Sequence, residues 1–175
     1  MMVEQHDEWT TELQTYDYGE GLCWDGGNHG CELIQTELCT MVPPYEWTKI
    51  YFDSASYDTN GFFDTAIPGC LILPAAGFYV ASVSIGWPIT GRTATDLSVE
   101  IRSAVWGTIA YDIGHPAQID PTYMASFGQG ILEQGSEVGV YVRNGTGKIV
   151  TLLQEGVLCP RLTIQWVKNF YGTCP

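Results

Sequence analysis

The stretch from Tyr57 to Trp87 constrains the fold of this chain more than any other. Polar turn residues, DTNG at 58–61, are followed by a short apolar run at 70–73, a Pro-Ala-Ala-Gly corner at 74–77 and a long alternating run. Side chains two residues apart on a β-strand share a face, so the alternating run predicts a strand with one buried face. The residues predicted to face the core are Tyr79, Ala81, Val83, Ile85 and Trp87. This order of turn, short strand, corner and long strand predicts an all-β protein.

Alternating runs continue along the chain after residue 46. They predict strands at 47–52, 70–73, 78–87, 97–102, 105–111, 124–132, 138–143, 148–153 and 162–167. The run 97–102 alternates apolar and polar residues, which is typical of a strand with one face in water. Asn144-Gly145 predicts a tight hairpin turn, because both residues tolerate positive φ. We therefore expect an antiparallel jelly-roll β-sandwich over residues 47–168.

Charge is distributed unevenly along the chain. Residues 1–48 contain ten acids and no Lys or Arg, and the rest of the chain contains ten acids and seven bases. A leader of this charge repels nucleic acid and anionic membranes, so we expect neither as a partner. We predict an irregular acidic arm at 1–46 and a C-terminal tail at 169–175. The arm is either a solvated tail or a docking segment, and docking is favoured by aromatic residues that include Trp9, Tyr16, Tyr18 and Trp24.

The cysteine content and the N-terminus point to different compartments. No segment reaches the roughly 20 apolar residues of a membrane span, and the N-terminus lacks the basic and apolar regions of a secretory signal. An even number of cysteines is nevertheless typical of oxidised proteins. The candidates for disulfides are Cys23, Cys31, Cys39, Cys70, Cys159 and Cys174. The two observations agree if the protein is made in a host cytoplasm and released by lysis; alternatively, some cysteines, such as Cys70, are buried apolar groups.

Two patterns are weak candidates for metal sites. Oxygen-bearing residues at 56–64 resemble a calcium loop, but its first position is Ser56 and its twelfth, where a bidentate Glu is expected, is Ile67. A turn is the favoured interpretation, and a cation near Asp58 and Asp64 stays open. The cysteines of the arm lack the close pairing of structural zinc sites, although His29 lies between two of them. We expect no metal and no cofactor.

Catalytic motifs are not evident in the sequence. There is no Gly-x-Ser-x-Gly elbow, no His-Glu-x-x-His and no phosphate loop. His115 precedes a proline and is interpreted as a solvated loop residue, and turn formation accounts for Asp58 and Asp64 without a sugar substrate. Asn144-Gly145-Thr146 fits the pattern of a glycosylation acceptor. We predict that the protein is not an enzyme and has no catalytic residues.

The Asp-Thr-Asn-Gly turn, the Phe two residues after it and the Pro-x-x-Gly-x-Tyr corner at 74–79 resemble those of the globular heads of complement and tumour-necrosis-factor relatives. Members of that jelly-roll superfamily also occur as trimeric proteins of bacteriophage particles. The resemblance implies that strand 47–52 lies beside strand 162–167 in the inner sheet. The arm and the tail would then be neighbours, so that Cys174 could pair with a cysteine of the arm.

The resemblance also implies a function. We expect a homotrimeric structural protein of a phage virion, a capsid decoration protein whose arm docks onto the major capsid protein or another virion protein. The aromatic residues expected in the core or at the threefold axis are Tyr79, Phe127, Tyr141 and Trp166. The alternative is a tail-tip or spike protein that binds a host glycan or protein through loops at 91–96 and 114–123. An enzyme is the third class, which a His115→Ala variant would test.

Overall fold

The computed structural model describes residues 29–89, 96–115 and 120–168. These residues form twelve strands and one 3-10 helix. The elements are β1 His29–Ile34, β2 Met41–Val42, β3 Trp47–Lys49, β4 Ser54–Asp58, β5 Leu71–Ile72, β6 Gly77–Trp87, β7 Leu97–Ser103, β8 Gly107–Gly114, β9 Thr122–Leu132, β10 Glu137–Asn144, β11 Val150–Thr151, the 3-10 helix Gly156–Leu158 and β12 Arg161–Lys168. In the part of the chain that is described, no helix has the length and apolar character needed to cross a membrane.

Two antiparallel sheets pack face to face. The inner sheet has the order β4-β1-β12-β6-β9, and the outer sheet has the order β3-β10-β7-β8 with β5 also paired to β10. A third, two-stranded sheet joins β11 to β2. This architecture confirms the predicted all-β jelly-roll sandwich.

The core lies between the two sheets and is built from the alternating faces that the sequence predicted. All five residues predicted to face the core on β6 are buried. The apolar positions of β7 and β10, such as Val99, Ile101 and Val140, meet them from the outer sheet. Burying a side chain of this size contributes about 1.5–3 kcal/mol relative to leaving it exposed. Hydrophobic burial between the sheets is therefore the main force that holds the sandwich together.

The corner motif before β6 is closed by a tyrosine. The Tyr79 hydroxyl donates a hydrogen bond to the Ala75 carbonyl oxygen at 2.6 Å. The Tyr79 ring packs edge-on against Phe62, with 6.4 Å between centroids and 86° between planes. Burial raises the pKa of the Tyr79 phenol, so the hydroxyl stays protonated and keeps its donor. The Pro-x-x-Gly-x-Tyr motif is thus a corner held by its own last residue.

The turn before this corner is organised by Asp58. Its carboxylate accepts hydrogen bonds from the backbone amides of residues 60, 61, 62 and 63, at 2.9–3.2 Å. Gly61 has a φ of +73°, which a residue with a Cβ adopts only with strain. Asp64 caps a second turn through the Ala66 amide at 2.8 Å. Both carboxylates therefore act in the turns that the sequence favoured.

The first strand of the inner sheet is not the predicted one. β1 pairs with β12 in the inner sheet, whereas β3, the segment predicted for that place, pairs with β10 in the outer sheet. The sandwich therefore begins at or before His29, and residues 29–46 are part of it rather than of an arm. The alternation that buries Cys31 and Leu33 is short and lies among acidic residues, so the sequence pattern did not predict a strand there. The two ends of the domain still meet, because His29 stands opposite Trp166.

The predicted hairpin at Asn144-Gly145 is also absent from the described residues. β11 pairs with β2 instead of turning back onto β10, and the glycine with positive φ in this region is Gly147. The Asn144 amide group explains the difference. It is buried, its Nδ2 donates to the Val42 and Pro43 carbonyl oxygens, and its Oδ1 accepts from the Thr146 amide and hydroxyl. An amide nitrogen held in this way is not accessible as a glycosylation acceptor.

Strand β7 was predicted to have one face in water, and this is wrong. Ser98 and Glu100 point away from the core but are 3% and 6% exposed. The Glu100 carboxylate binds Thr108 of β8 and Arg102, and Trp47 of β3 and Tyr141 of β10 pack on Arg102. The cover is built from residues that are distant in sequence, so alternation along one strand could not reveal it.

Candidate functional site

The four aromatic residues predicted for the core or a threefold axis lie in different environments. Tyr79 is in the core, and Trp166 is partly buried and packs against the core. Phe127 is exposed on the outward face of the inner sheet, and Tyr141 lies on the outward face of the outer sheet. The two outward faces are therefore the surfaces on which a function can be sought.

The outward face of the inner sheet carries a row of bare apolar side chains on β9, here called the β9 strip: Tyr123, Phe127 and Ile131. They are 54%, 65% and 37% exposed. Phe127 stands opposite Ser82 on β6, a side chain too small to cover its ring. Large apolar side chains exposed along one face of a strand in this way are typical of a surface that contacts another molecule.

Few charged side chains lie on the strands beside the β9 strip. Among the described side chains of β1, β6, β9 and β12, the only carboxylate is Glu32 and the only guanidinium is Arg161, and they face each other at 3.5 Å. The chain as a whole carries a net charge of −13. A neutral sheet face is therefore a local departure from the composition, and it lowers the electrostatic cost of bringing two acidic chains together.

An apolar groove of about 470 Å³ adjoins the β9 strip at Ile131. Trp106, Ile109 and Leu132 line it together with Gly130, and Glu133 brings one carboxylate to its wall. Gly130 faces the other sheet, as Tyr79 opposite it does, and a Cβ there would meet no atom within 4 Å, so the groove lies open at the edge of the sandwich. Trp106 is 57% exposed and extends the apolar surface from the sheet face round its edge to β8.

The outward face of the outer sheet carries a different group, here called the Arg102 cluster: Trp47, Glu100, Arg102, Tyr111 and Tyr141. The guanidinium carbon of Arg102 lies 4.6 Å from the Trp47 ring centroid and 4.4 Å from that of Tyr141. The Trp47 ring lies 6.3 Å from Tyr111, with the two planes tilted by 58°. Two aromatic rings thus flank the guanidinium, and a third ring packs against one of them.

Glu100 anchors the Arg102 cluster from below. Its carboxylate binds Nη2 of Arg102 at 2.6 Å and accepts a hydrogen bond from the Thr108 hydroxyl. Desolvation by burial raises the pKa of Glu100, but the bonds from Arg102 and Thr108 and the charge of Arg102 outweigh it, so the pKa is lowered. The carboxylate is therefore ionised at neutral pH and holds Arg102 in place.

A small cavity of about 180 Å³ opens beside the Arg102 cluster. Arg102, Tyr141, Lys49, Glu137 and Cys70 are among its lining residues. The walls therefore offer cationic donors and a carboxylate acceptor within one space. This surface combines aromatic planes with polar groups, whereas the β9 strip is apolar and neutral.

The other candidate residues do not assemble into a reactive centre in the described structure. Nδ1 of His115 lies 3.5 Å from a carboxylate oxygen of Asp96, and both side chains are largely exposed. In the described ranges no three His, Cys, Asp or Glu side chains are grouped so as to hold a metal ion. The binding loops predicted at 91–96 and 114–123 fall partly outside the described residues. The arm aromatics, Cys23 and Cys174 lie wholly outside them.

The four described cysteines are free, which corrects the expectation of disulfides among them: Cys31, Cys39, Cys70 and Cys159. Cys31, Cys70 and Cys159 are buried and Cys39 is exposed. Burial, with smaller effects from Asp58 and Glu32, raises the pKa of Cys31 to about 12. The Cys31 thiol is therefore protonated and packs as a small apolar group.

Comparisons with known proteins give a fold and no family. No protein-family model matches the chain, and no curated protein matches it. Among solved structures, murine APRIL, crystallised at pH 5.0, superposes with a TM-score of 0.61 over 80% of this chain and 99% of its own, at 12% identity. The chain therefore shares the jelly-roll fold of this structure, as the sequence predicted, and at this identity the likeness extends to the fold alone.

Proposed function

We propose that the protein is a non-enzymatic structural protein of a bacteriophage virion, a homotrimeric decoration protein of the capsid. The observation that carries the proposal is the β9 strip, since three apolar side chains stand bare on a neutral sheet face of a strongly acidic chain. Self-association about a threefold axis would bury this face in each protomer. A stable interface of ordinary size buries about 800 Å² per partner, and the strip with its adjoining groove would be the apolar centre of such an interface.

A further observation supports assembly in a host cytoplasm. The four described cysteines are free thiols, the state that a reducing cytosol maintains. Release by lysis would then place the protein on particles outside the cell without a secretory route.

The acidic residues before β1 are the proposed contact with the shell. Residues 1–28 contain seven acids and no base, together with Trp9, Tyr16, Tyr18 and Trp24. Carboxylates would select a basic surface on the major capsid protein, and the aromatic groups would supply most of the contact energy. A trimer that binds the assembled shell but not free capsid protein stabilises the shell by mass action.

The test uses purified particles of the phage that carries this chain. Quantitative mass spectrometry should find the protein in a copy number comparable to that of the major capsid protein, and re-adding the full chain to stripped heads should raise the temperature at which they open. A variant with the seven acids of residues 1–28 changed to Gln or Asn should stay trimeric and fail to bind. Absence from the particle, or heads that are indifferent to the protein, would refute the proposal.

Copy number also separates the main alternative. A tail-tip or spike protein that binds a host receptor would be present in a few copies and located at the tail. Electron cryomicroscopy of the same particles would show density of this fold over the shell for a decoration protein, and at the tail for a receptor-binding protein.

A further inference from the structure

The Arg102 cluster has features that a threefold contact on the inner sheet does not require. It lies on the outer sheet, on the opposite side of the sandwich from the β9 strip. Two of its rings remain accessible, since Trp47 is 39% and Tyr111 is 50% exposed. A preassembled aromatic and polar surface of this kind is suited to binding a ligand.

We propose that the Arg102 cluster binds a saccharide. The shape of its apolar surface supports this proposal. Trp47 and Tyr111 present two ring planes inclined at 58° with centroids 6.3 Å apart. A pyranose ring has an apolar face of C–H groups that stacks on an aromatic plane, and two adjacent inclined planes can contact successive sugar units.

Hydrogen-bond donors and acceptors lie together beside those ring planes. A guanidinium has five N–H donors. In the described residues, Arg102 donates a side-chain hydrogen bond only to Glu100, through Nη2. Lys49 adds a donor, and Glu137 an acceptor, in the adjoining cavity. Sugar hydroxyls both donate and accept hydrogen bonds, so they match a site that offers both kinds of group.

The Arg102 cluster is already ordered without a ligand. Arg102 is held by two aromatic rings and by a 2.6 Å ion pair whose carboxylate side chain is 8% exposed. Binding therefore immobilises few groups that were free before, which matters for a ligand whose own contacts are weak. The cavity of about 180 Å³ has room for roughly six waters at 30 Å³ each, and the substituents of a single sugar unit would displace them.

Other ligand classes fit these groups less well. A polyanion would be repelled by the net charge of −13, and Glu100 already neutralises Arg102. A lipid surface requires a broad apolar patch with flanking bases, whereas this face carries the carboxylates of Glu100 and Glu137. An acidic polypeptide is the remaining competitor, and the experiment includes it.

The test screens the full-length chain against an immobilised panel of neutral hexose, N-acetylated amino-sugar and uronic or sialic acid oligosaccharides. Titration calorimetry then measures affinity for whichever oligosaccharide binds. Trp47→Leu and Tyr111→Thr, which remove one ring each, should weaken binding about tenfold. Trp47→Phe and Tyr111→Phe keep a ring and should stay within about threefold of wild type. Ile113→Thr changes an exposed side chain two residues from Tyr111 and is the control for altered strand packing.

Three results would overturn the proposal: a panel on which nothing binds, binding that the ring-removing variants leave unchanged, and preferential binding of a synthetic peptide of residues 1–28 at this surface. The ring-retaining variants separate stacking from a loss of folding, because they differ from their partners only in the aromatic plane. The site does not depend on the virion proposal. A chain that binds the saccharide but forms no trimer would refute the proposed assembly and leave this inference standing.

Discussion

The two outward faces of the sandwich use aromatic residues in opposite ways. On the inner sheet, Phe127 and Tyr123 stand bare among small neutral side chains. On the outer sheet, Trp47 and Tyr141 flank a guanidinium that an underlying carboxylate holds in place, and Tyr111 packs against Trp47. Burial of the first face would remove apolar surface from water and so stabilise an assembly. The polar groups of the second face already have partners within the protomer.

This difference shows that an aromatic side chain on a surface does not by itself identify an interface. The bare face has few polar groups to guide a ligand and is suited to burial against an equally apolar surface. The Arg102 cluster offers direction and hydrogen bonds, which a small polar ligand requires. The predictions that follow test whether the two faces differ in this way.

The largest effect is expected for Phe127→Glu. A carboxylate at the centre of the β9 strip would be buried without a partner in any assembly that uses this face, so we expect the proposed trimer not to form. Analytical ultracentrifugation measures the change, and circular dichroism checks that the protomer stays folded. Ile149→Glu, at a 67% exposed position away from the strip, is the matched control and should leave assembly unchanged. If both variants stay trimeric, the strip is not the contact.

The next largest effect is expected for Glu100→Gln. The change keeps the shape of the side chain but removes the charge that holds Arg102 and Thr108, and a hydrogen bond to a charged group contributes about 1.5–3 kcal/mol. We expect the free energy of unfolding in urea to fall by about 2 kcal/mol, with no change in assembly. Glu133→Gln removes an exposed acid and should have almost no effect. An equal, small effect of both would mean that the cluster is not held by its ion pair.

A smaller loss of stability is expected for Tyr79→Phe. This variant tests the corner independently of the β9 strip on the same sheet. Removing the hydroxyl leaves the buried Ala75 carbonyl oxygen without its 2.6 Å donor, at a cost of about 1–2 kcal/mol. Urea denaturation measures it. Tyr123→Phe removes an exposed hydroxyl of the strip and should change stability by less than about 0.5 kcal/mol. If Tyr123→Phe proved more destabilising than Tyr79→Phe, the tyrosine that stabilises the fold would be the one on the surface and not the one in the corner.

The smallest effect is a dependence on pH. Because the folded pKa of Glu100 is lowered below the unfolded value of about 4.3, its contribution is fully present above that pH and is lost as the pH falls through the folded pKa. The difference in melting temperature between the wild type and Glu100→Gln should therefore shrink between pH 7 and pH 3. A difference that is constant over this range would show that the carboxylate gains nothing from being ionised.

The sequence predicted the features that depend on neighbours along the chain. Alternation identified the core faces of β6, β7 and β10, and the corner motif identified Tyr79. The sequence did not reveal the contacts made across strands. Arg102 belongs to β7, but its rings come from β3 and β10, and no spacing in the chain connects them.

The missed first strand has a similar physical cause. The segment HGCELI has two buried apolar positions, Cys31 and Leu33, which is too short an alternation to stand out in an acidic stretch. Its place is set by pairing with β12 and β4, elements far away in sequence. Likewise Asn144 ends its strand in buried contacts with the Val42 and Pro43 carbonyls, which local turn propensity does not predict.

The mass of the full chain in solution tests the central claim most directly. If the neutral β9 strip is a self-association surface, sedimentation equilibrium at micromolar concentration and neutral pH should give three times the protomer mass of 19.3 kDa. Because the strip carries no charge, the same mass is expected in high salt. A single protomer at every concentration, with the strip open to solvent, would contradict the account.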